Sequence, residues 1–144
     1  MDLSGTHLHT LDEKGRLTLP ARFRDRFANK CVLAKGSRKP IPRIRIYPME
    51  TWEKMSTTLE GLNDFDPRIQ EFKLRFYSGS APCDIDRQGR LLINQEFRSY
   101  ANLIKDIYLV GSGSYFEIYE KEAWGDKWES IDDNYDPLAA EIFK

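Results

Sequence analysis

The residues of this chain best suited to chemistry stand in two short stretches that carry the same message. In Leu11-Asp12-Glu13-Lys14-Gly15-Arg16-Leu17-Thr18-Leu19 an aspartate opens, a glycine follows three residues later, and an arginine comes straight after it. Ile85-Asp86-Arg87-Gln88-Gly89-Arg90-Leu91-Leu92-Ile93 repeats that order, and the register holds as far as Phe23-Arg24 and Phe97-Arg98. The pattern suits a turn: Asp12 and Asp86 can accept backbone N–H bonds from the residues ahead, and Gly15 and Gly89 supply positive φ. It also suits anion recognition, because arginine pairs bidentately with guanine edges or phosphates and a two-stranded ribbon fits the DNA major groove. Turn chemistry does not require a cation, yet the arginine is there both times. Lys14 and Arg16 at one hairpin tip, with Arg87, Gln88 and Arg90 at the other, are therefore the candidate DNA-contacting residues. Arg22, Arg24, Arg38 and Lys39 are candidates for further phosphate contacts.

Other chemistries fit poorly. Asp12 and Asp86 resemble an acid–base pair only until their neighbours are counted, since each stands beside its own arginine, which keeps it ionised. The chain has no Gly-x-Ser-x-Gly, no zinc-ligand spacing and no phosphate loop, so neither an enzyme nor a cofactor is expected. His7 and His9 fall on one face of the first strand, but nothing is placed to complete a metal site, and they read as surface or interface residues. Cys31 and Cys83 lack a Cys-x-x-Cys partner and read as reduced thiols in different halves.

The elements that must position these residues follow from periodicity. Thr6, Leu8 and Thr10 before the first turn, and Leu17 and Leu19 after it, predict two half-buried strands. Pro20 opens a short helix with Phe23 and Phe27 on its apolar side. A buried strand at Cys31–Ala34, a mobile basic loop at Lys35–Arg43 and a strand at Ile44–Tyr47 close the first unit. Two connecting helices follow, one with Trp52, Met55, Leu59 and Leu62 at helical spacing, the other opened by Asp66-Pro67 and carrying Ile69, Phe72 and Phe76. The second unit repeats the first, and the unit ends rhyme: Ile46-Tyr47-Pro48-Met49-Glu50-Thr51-Trp52 against Ile118-Tyr119-Glu120-Lys121-Glu122-Ala123-Trp124. A last helix is expected to bury Trp124, Trp128 and Ile131, and a tail from Asp136 to form a turn or two of amphipathic helix packed on a neighbour. The fold class is α+β and strand-rich, two pseudo-symmetric hairpin-and-helix units joined by a helical pair. The expected divisions are 5–50, a connector at 51–80, 81–124, and an acidic helix and tail at 125–144.

At 144 residues each half alone barely offsets its chain entropy, so association of halves and of chains is expected. The net charge of −1 hides an asymmetry. Residues 14–45 hold eleven cations against Asp25 alone, whereas residues 116–144 hold nine carboxylates against three lysines. A polyanion partner for the basic portion, or an acidic neighbour pairing with it inside the fold, would each explain that. No signal-peptide pattern or bilayer-spanning run is present, and a cytoplasmic protein is expected.

Three stretches together resemble the MraZ family: Leu-Asp-Glu-Lys-Gly-Arg-Leu-Thr-Leu-Pro-Ala-Arg-Phe-Arg from Leu11 to Arg24, then Leu109-Val110-Gly111-Ser112-Gly113, then Phe116 to Trp124. The likeness runs from about Gly5 to Trp128. It implies the swapped-hairpin fold of AbrB-type regulators with both halves in one chain, and a ring-shaped homo-oligomer. It also implies a nucleoid-associated regulator, in all expectation a repressor, on short direct repeats of double-stranded DNA upstream of the division and cell-wall genes, its own included. Family assignment of DNA contact to Asp-x-x-x-Arg falls on Arg16 and Arg90. Three departures stand out: Asn94 replaces the proline seen at Pro20, the Lys35–Arg43 loop is long and basic, and the second unit has fewer cations around its motif, which sets the two hairpins apart. The alternative reading is an antitoxin-like interaction module of the same fold, with no membrane or small-molecule partner in either case.

Overall fold

The computed structural model describes residues 2–144. In the first unit the strands are β1 (Thr6–Thr10), β2 (Arg16–Thr18), β3 (Lys30–Lys35) and β4 (Ile44–Pro48), with a 3-10 turn at Ala21–Phe23 running into α1 (Arg24–Phe27). The connector is α2 (Met49–Glu60) and α3 (Pro67–Ser78). The second unit repeats the order with β5 (Ser80–Asp84), β6 (Arg90–Leu92), α4 (Gln95–Tyr100), β7 (Asp106–Gly111) and β8 (Phe116–Glu120). Two helices end the chain, α5 (Lys121–Asp133) and α6 (Tyr135–Ile142). The protein is α+β, and among the described residues no helix is long and apolar enough to cross a membrane.

Local pattern predicts that β1 pairs with β2 across the first turn. It does not. β1 lies antiparallel to β7, from Thr6 opposite Val110 to Thr10 opposite Asp106, and β2 lies antiparallel to β6. Each half therefore lends both strands of its expected hairpin to the other half, the swapped arrangement that the family resemblance implies. The larger sheet runs β1-β7-β8-β4-β3-β5, and β2-β6 form a separate ribbon. Leu17 and Leu91, opposite each other at the ribbon's centre, are 0% and 1% exposed. They join Phe23, Ile46, Phe97 and Ile118 in one core drawn from both units. Burying each such side chain stabilises by about 1.5–3 kcal/mol, so the interleaved halves depend on one another for this shared core.

The helix starts follow their sequence signals. Asp66 accepts from the Arg68 N–H at 2.9 Å, with Pro67 in the first helical position. Pro20 precedes the 3-10 turn, and at the matching place Asn94 caps α4 by accepting from the Phe97 N–H at 3.1 Å. Proline presets a dihedral and asparagine supplies an acceptor, so two different residues open the same helix.

Several expectations need correcting. β1 alternates, but in the opposite phase: His7 and His9 turn inward while Leu8 is 55% exposed. His7 reaches the Ser4 carbonyl at 2.9 Å and meets Phe23 edge-on, so aromatic packing orients it. The basic loop is tethered rather than mobile, since Ile41 is buried, Gly36 N–H donates to the Arg43 carbonyl, and Arg75 holds the Lys35 and Gly36 carbonyls. α3 buries no residue fully, and Leu62 lies beyond the end of α2, 40% exposed. Trp124 and Ile131 are half-buried and Trp128 is 46% exposed, so α5 rests on β7 and β8 without being enclosed. α6 forms as expected, with Leu138 and Ile142 exposed.

Candidate nucleic-acid interface

Each turn is built by its own aspartate. The Asp12 carboxylate accepts from the Lys14 and Arg16 N–H groups, both at 2.9 Å, and from Arg16 Nε at 2.6 Å. Asp86 does the same with Gln88 N–H, Arg90 N–H and Arg90 Nε, at 2.9, 2.9 and 2.7 Å. Gly15 and Gly89 take φ of 84° and 81°, where a side chain is disfavoured. Both carboxyls titrate below their ordinary value, first because of the backbone hydrogen bond from Arg16 or Arg90, then because of that arginine's side chain and the second N–H. An ionised aspartate thus aims each arginine through Nε, away from free rotation.

The swap then brings the two arginines together. In β2, Leu17 faces the core while Arg16 and Thr18 face out, and in β6, Leu91 faces the core while Arg90 and Leu92 face out. Arg16 stands opposite Leu92 and Thr18 opposite Arg90. The arginines therefore occupy one diagonal of a single outer face, where such neighbours lie about 7–8 Å apart. Two further ladder bonds, Leu19 N–H to the Gly89 carbonyl and Ile93 N–H to the Gly15 carbonyl, both 2.9 Å, clamp the ribbon to the turns at its two ends. The sequence predicts two separate tips; the fold makes one face with a turn at either end.

Lys14, Arg87 and Gln88 are exposed in those turns. The first turn balances Asp12 and Glu13 against Lys14 and Arg16, while the second sets Asp86 against Arg87 and Arg90. Arg24 is half-buried, its Nε donating to the Leu19 carbonyl at 3.3 Å and its guanidinium pressed against Gly89. Its counterpart Arg98 was not among the residues singled out from sequence. Arg98 Nε donates to the Ile93 carbonyl at 2.8 Å, and a methyl group added at Gly15 would stand 2.8 Å from that nitrogen. Each unit's short helix so props the other unit's turn. The signal was available, because the sequence register runs through Phe97-Arg98.

The remaining cations separate from this face or are spent internally. Arg22 lies over the Phe23 ring and Arg38 over the Tyr100 ring, at 4.5 and 4.4 Å, and Lys39 is exposed on the tethered loop. Arg45 Nε and Arg43 Nη1 reach the Glu117 carboxylate at 3.0 and 3.6 Å, and Tyr119 donates to its other oxygen at 2.7 Å. Glu117 is only 6% exposed, so this ion cluster is structural. Part of the basic surplus in residues 14–45 is therefore answered by the acidic C-terminal part within the fold. Among the described residues no three histidine, cysteine or acidic side chains gather as metal ligands.

Comparison with known proteins agrees with the doubled architecture. The family model described as "MraZ protein, putative antitoxin-like" matches this chain twice, over residues 3–74 and 76–141. Proteins called "Transcriptional regulator MraZ" from Desulfitobacterium hafniense and Moorella thermoacetica are each 36% identical to it over 138 residues, 96% of this chain and 94% of theirs. The protein of that name from Thermomicrobium roseum is 36% identical over 128 residues, covering 88% of this chain and 87% of its own.

Proposed function

The chain belongs to the MraZ family of transcriptional regulators, and from that premise we propose that it binds double-stranded DNA through the outer face of the β2–β6 ribbon. Arg16 and Arg90 read base edges or phosphates from the ribbon, while Lys14, Arg87 and Gln88 contact the backbone from the turns. Arg22, Arg24, Arg38 and Lys39 are secondary phosphate contacts in this reading. The observation that carries it is the convergence of both Asp-x-x-x-Arg motifs on one outward face, each arginine aimed by its aspartate.

One such face offers few phosphate contacts, so a single chain binds weakly. A ring homo-oligomer laying one face on each copy of a short direct repeat gains by effective concentration. Exposed Leu8 on an edge strand, and Ile104 at 83% exposure, supply apolar surface for that assembly. The targets are repeats upstream of the division and cell-wall genes, beginning with the protein's own, and repression is the outcome expected, in the cytoplasm at the nucleoid.

A gel shift on the DNA upstream of its own gene tests this. Arg16→Ala and Arg90→Ala should each weaken binding with the fold retained, and unchanged affinity in both would refute the assignment. A second reading, an antitoxin-like interaction module, draws on the acidic C-terminal helices with Tyr135, Leu138 and Phe143 exposed. Co-purification with a small basic protein from the adjacent gene, without a gel shift, would favour it.

A further inference from the structure

The swap has a consequence for the two cysteines. Cys31 on β3 and Cys83 on β5 come from different units, yet they stand directly opposite each other in the antiparallel pairing of those strands. Lys35 N–H donates to the Gly79 carbonyl at 2.8 Å and Ile85 N–H to the Asn29 carbonyl at 2.9 Å. Hydrogen-bonded pairs alternate along such a ladder, so Cys31 and Cys83 form one of them, with Cα atoms about 5.5 Å apart. That lies inside the span a disulfide bridges, roughly 4.4–6.8 Å. The intervening pair, Val32 opposite Pro82, falls where no N–H is called for, so the proline leaves the register intact.

The two thiols are not equivalent. Cys31 is 0% exposed, while Cys83 is half-buried on the edge strand and donates to the Leu92 carbonyl at 3.6 Å. The Cys31 thiol beside it lowers the Cys83 pKa, while the Cys83 sulfur together with burial raises that of Cys31. One sulfur is thus reachable and the easier of the two to ionise; the other is shielded and holds its proton.

We propose that Cys31 and Cys83 form a peroxide-reactive dithiol site that closes reversibly to an intrachain disulfide joining the two units. The Cys83 thiolate attacks one peroxide oxygen; the S–O bond forms, the O–O bond breaks, and the departing hydroxide takes up the proton that Cys83 gave to solvent on ionising. The Cys31 sulfur then attacks the Cys83 sulfenic sulfur. The S–S bond forms, the S–O bond breaks, and the hydroxyl leaves as water with the Cys31 proton. Two thiols lose two electrons and one peroxide becomes two waters. A small cellular thiol reopens the bridge by exchange, leaving its own disulfide. A hydrogen-bonded strand position holds the Cβ atoms wider than a relaxed disulfide prefers, which keeps the bridge reducible. None of this depends on what the ribbon binds.

Full-length protein, reduced and then exposed to hydrogen peroxide, tests the proposal by maleimide counting in denaturant, intact mass and non-reducing peptide mapping. Labelling should fall from two thiols per chain to none, with Cys31 and Cys83 linked inside one chain, and dithiothreitol should restore both. Cys83→Ser should leave Cys31 fully labelled at the same peroxide dose. Cys31→Ala, checked for folding by circular dichroism, should leave Cys83 as a sulfenic acid that dimedone traps. Loss of Cys83 alone with Cys31 still labelled, cross-links only between chains, or no reaction of either thiol would overturn it. The wild-type peptide map decides even if a variant fails to fold.

Discussion

Gly89 shows how much a single residue is asked to do here. It takes positive φ to complete the second turn, accepts the Leu19 N–H at its carbonyl in the ribbon ladder, and leaves room for the Arg24 guanidinium. Alanine there would meet both the left-handed strain, about 1–2 kcal/mol, and the Arg24 side chain. We expect Gly89→Ala to destabilise the protein by at least that strain in urea titrations, with Gly15→Ala close behind, since Arg98 closes over it in the same way. The aspartates give a pH signature. Their folded-state pKa values are depressed, so their contribution is present above the unfolded value of about 3.9 and fades as pH falls through the folded one. Amide signals of Lys14, Arg16, Gln88 and Arg90 should hold steady from neutral pH to about 5 and move together only below about 4. Movement at higher pH would mean the carboxylates are not engaged as described.

At the scale of elements, caps and strand positions answer to local chemistry and partner choice does not. Asn94→Ala removes the acceptor that opens α4 and should cost about 1 kcal/mol, read from the thermal midpoint; a neutral effect would show the cap to be idle. Such signals could be read from the chain directly: both turns, the Asp66-Pro67 start, the Pro20 start and nearly every strand came out of residue type and spacing. What β1 pairs with could not. Alternation in Thr6–Thr10 says that one face is buried, but strands of either unit satisfy it equally, and a turn that reverses the chain suits a self-paired hairpin as well as a swapped one. Phase is hidden for the same reason: by type Leu8 reads as the inward residue, whereas edge-on aromatic contacts from Phe23 and Phe116 draw His7 inside. The neighbouring cysteines, and Glu117 answering Arg43 and Arg45, are likewise products of register between distant strands.

For the whole molecule, interleaving has a testable cost. A fragment ending at residue 74 lacks β6 and β7, the partners of β2 and β1. It should not fold as a monomer, and mixing it with the remaining fragment should restore cooperative unfolding; a folded, monomeric first half would contradict the shared core. Electrostatics sets the response to salt. If each outward arginine neutralises one phosphate, replacing it should flatten the log–log salt slope by about 0.9 along with the affinity. The most direct test of the central claim uses Thr18, exposed between the two arginines on the ribbon's outer face. With a photoreactive side chain at position 18, irradiation of the protein on DNA from upstream of its gene should cross-link protein to DNA, and unlabelled DNA should compete it away. No cross-link from position 18, with efficient cross-linking from the exposed face of α3 in the same complex, would show that DNA is held elsewhere.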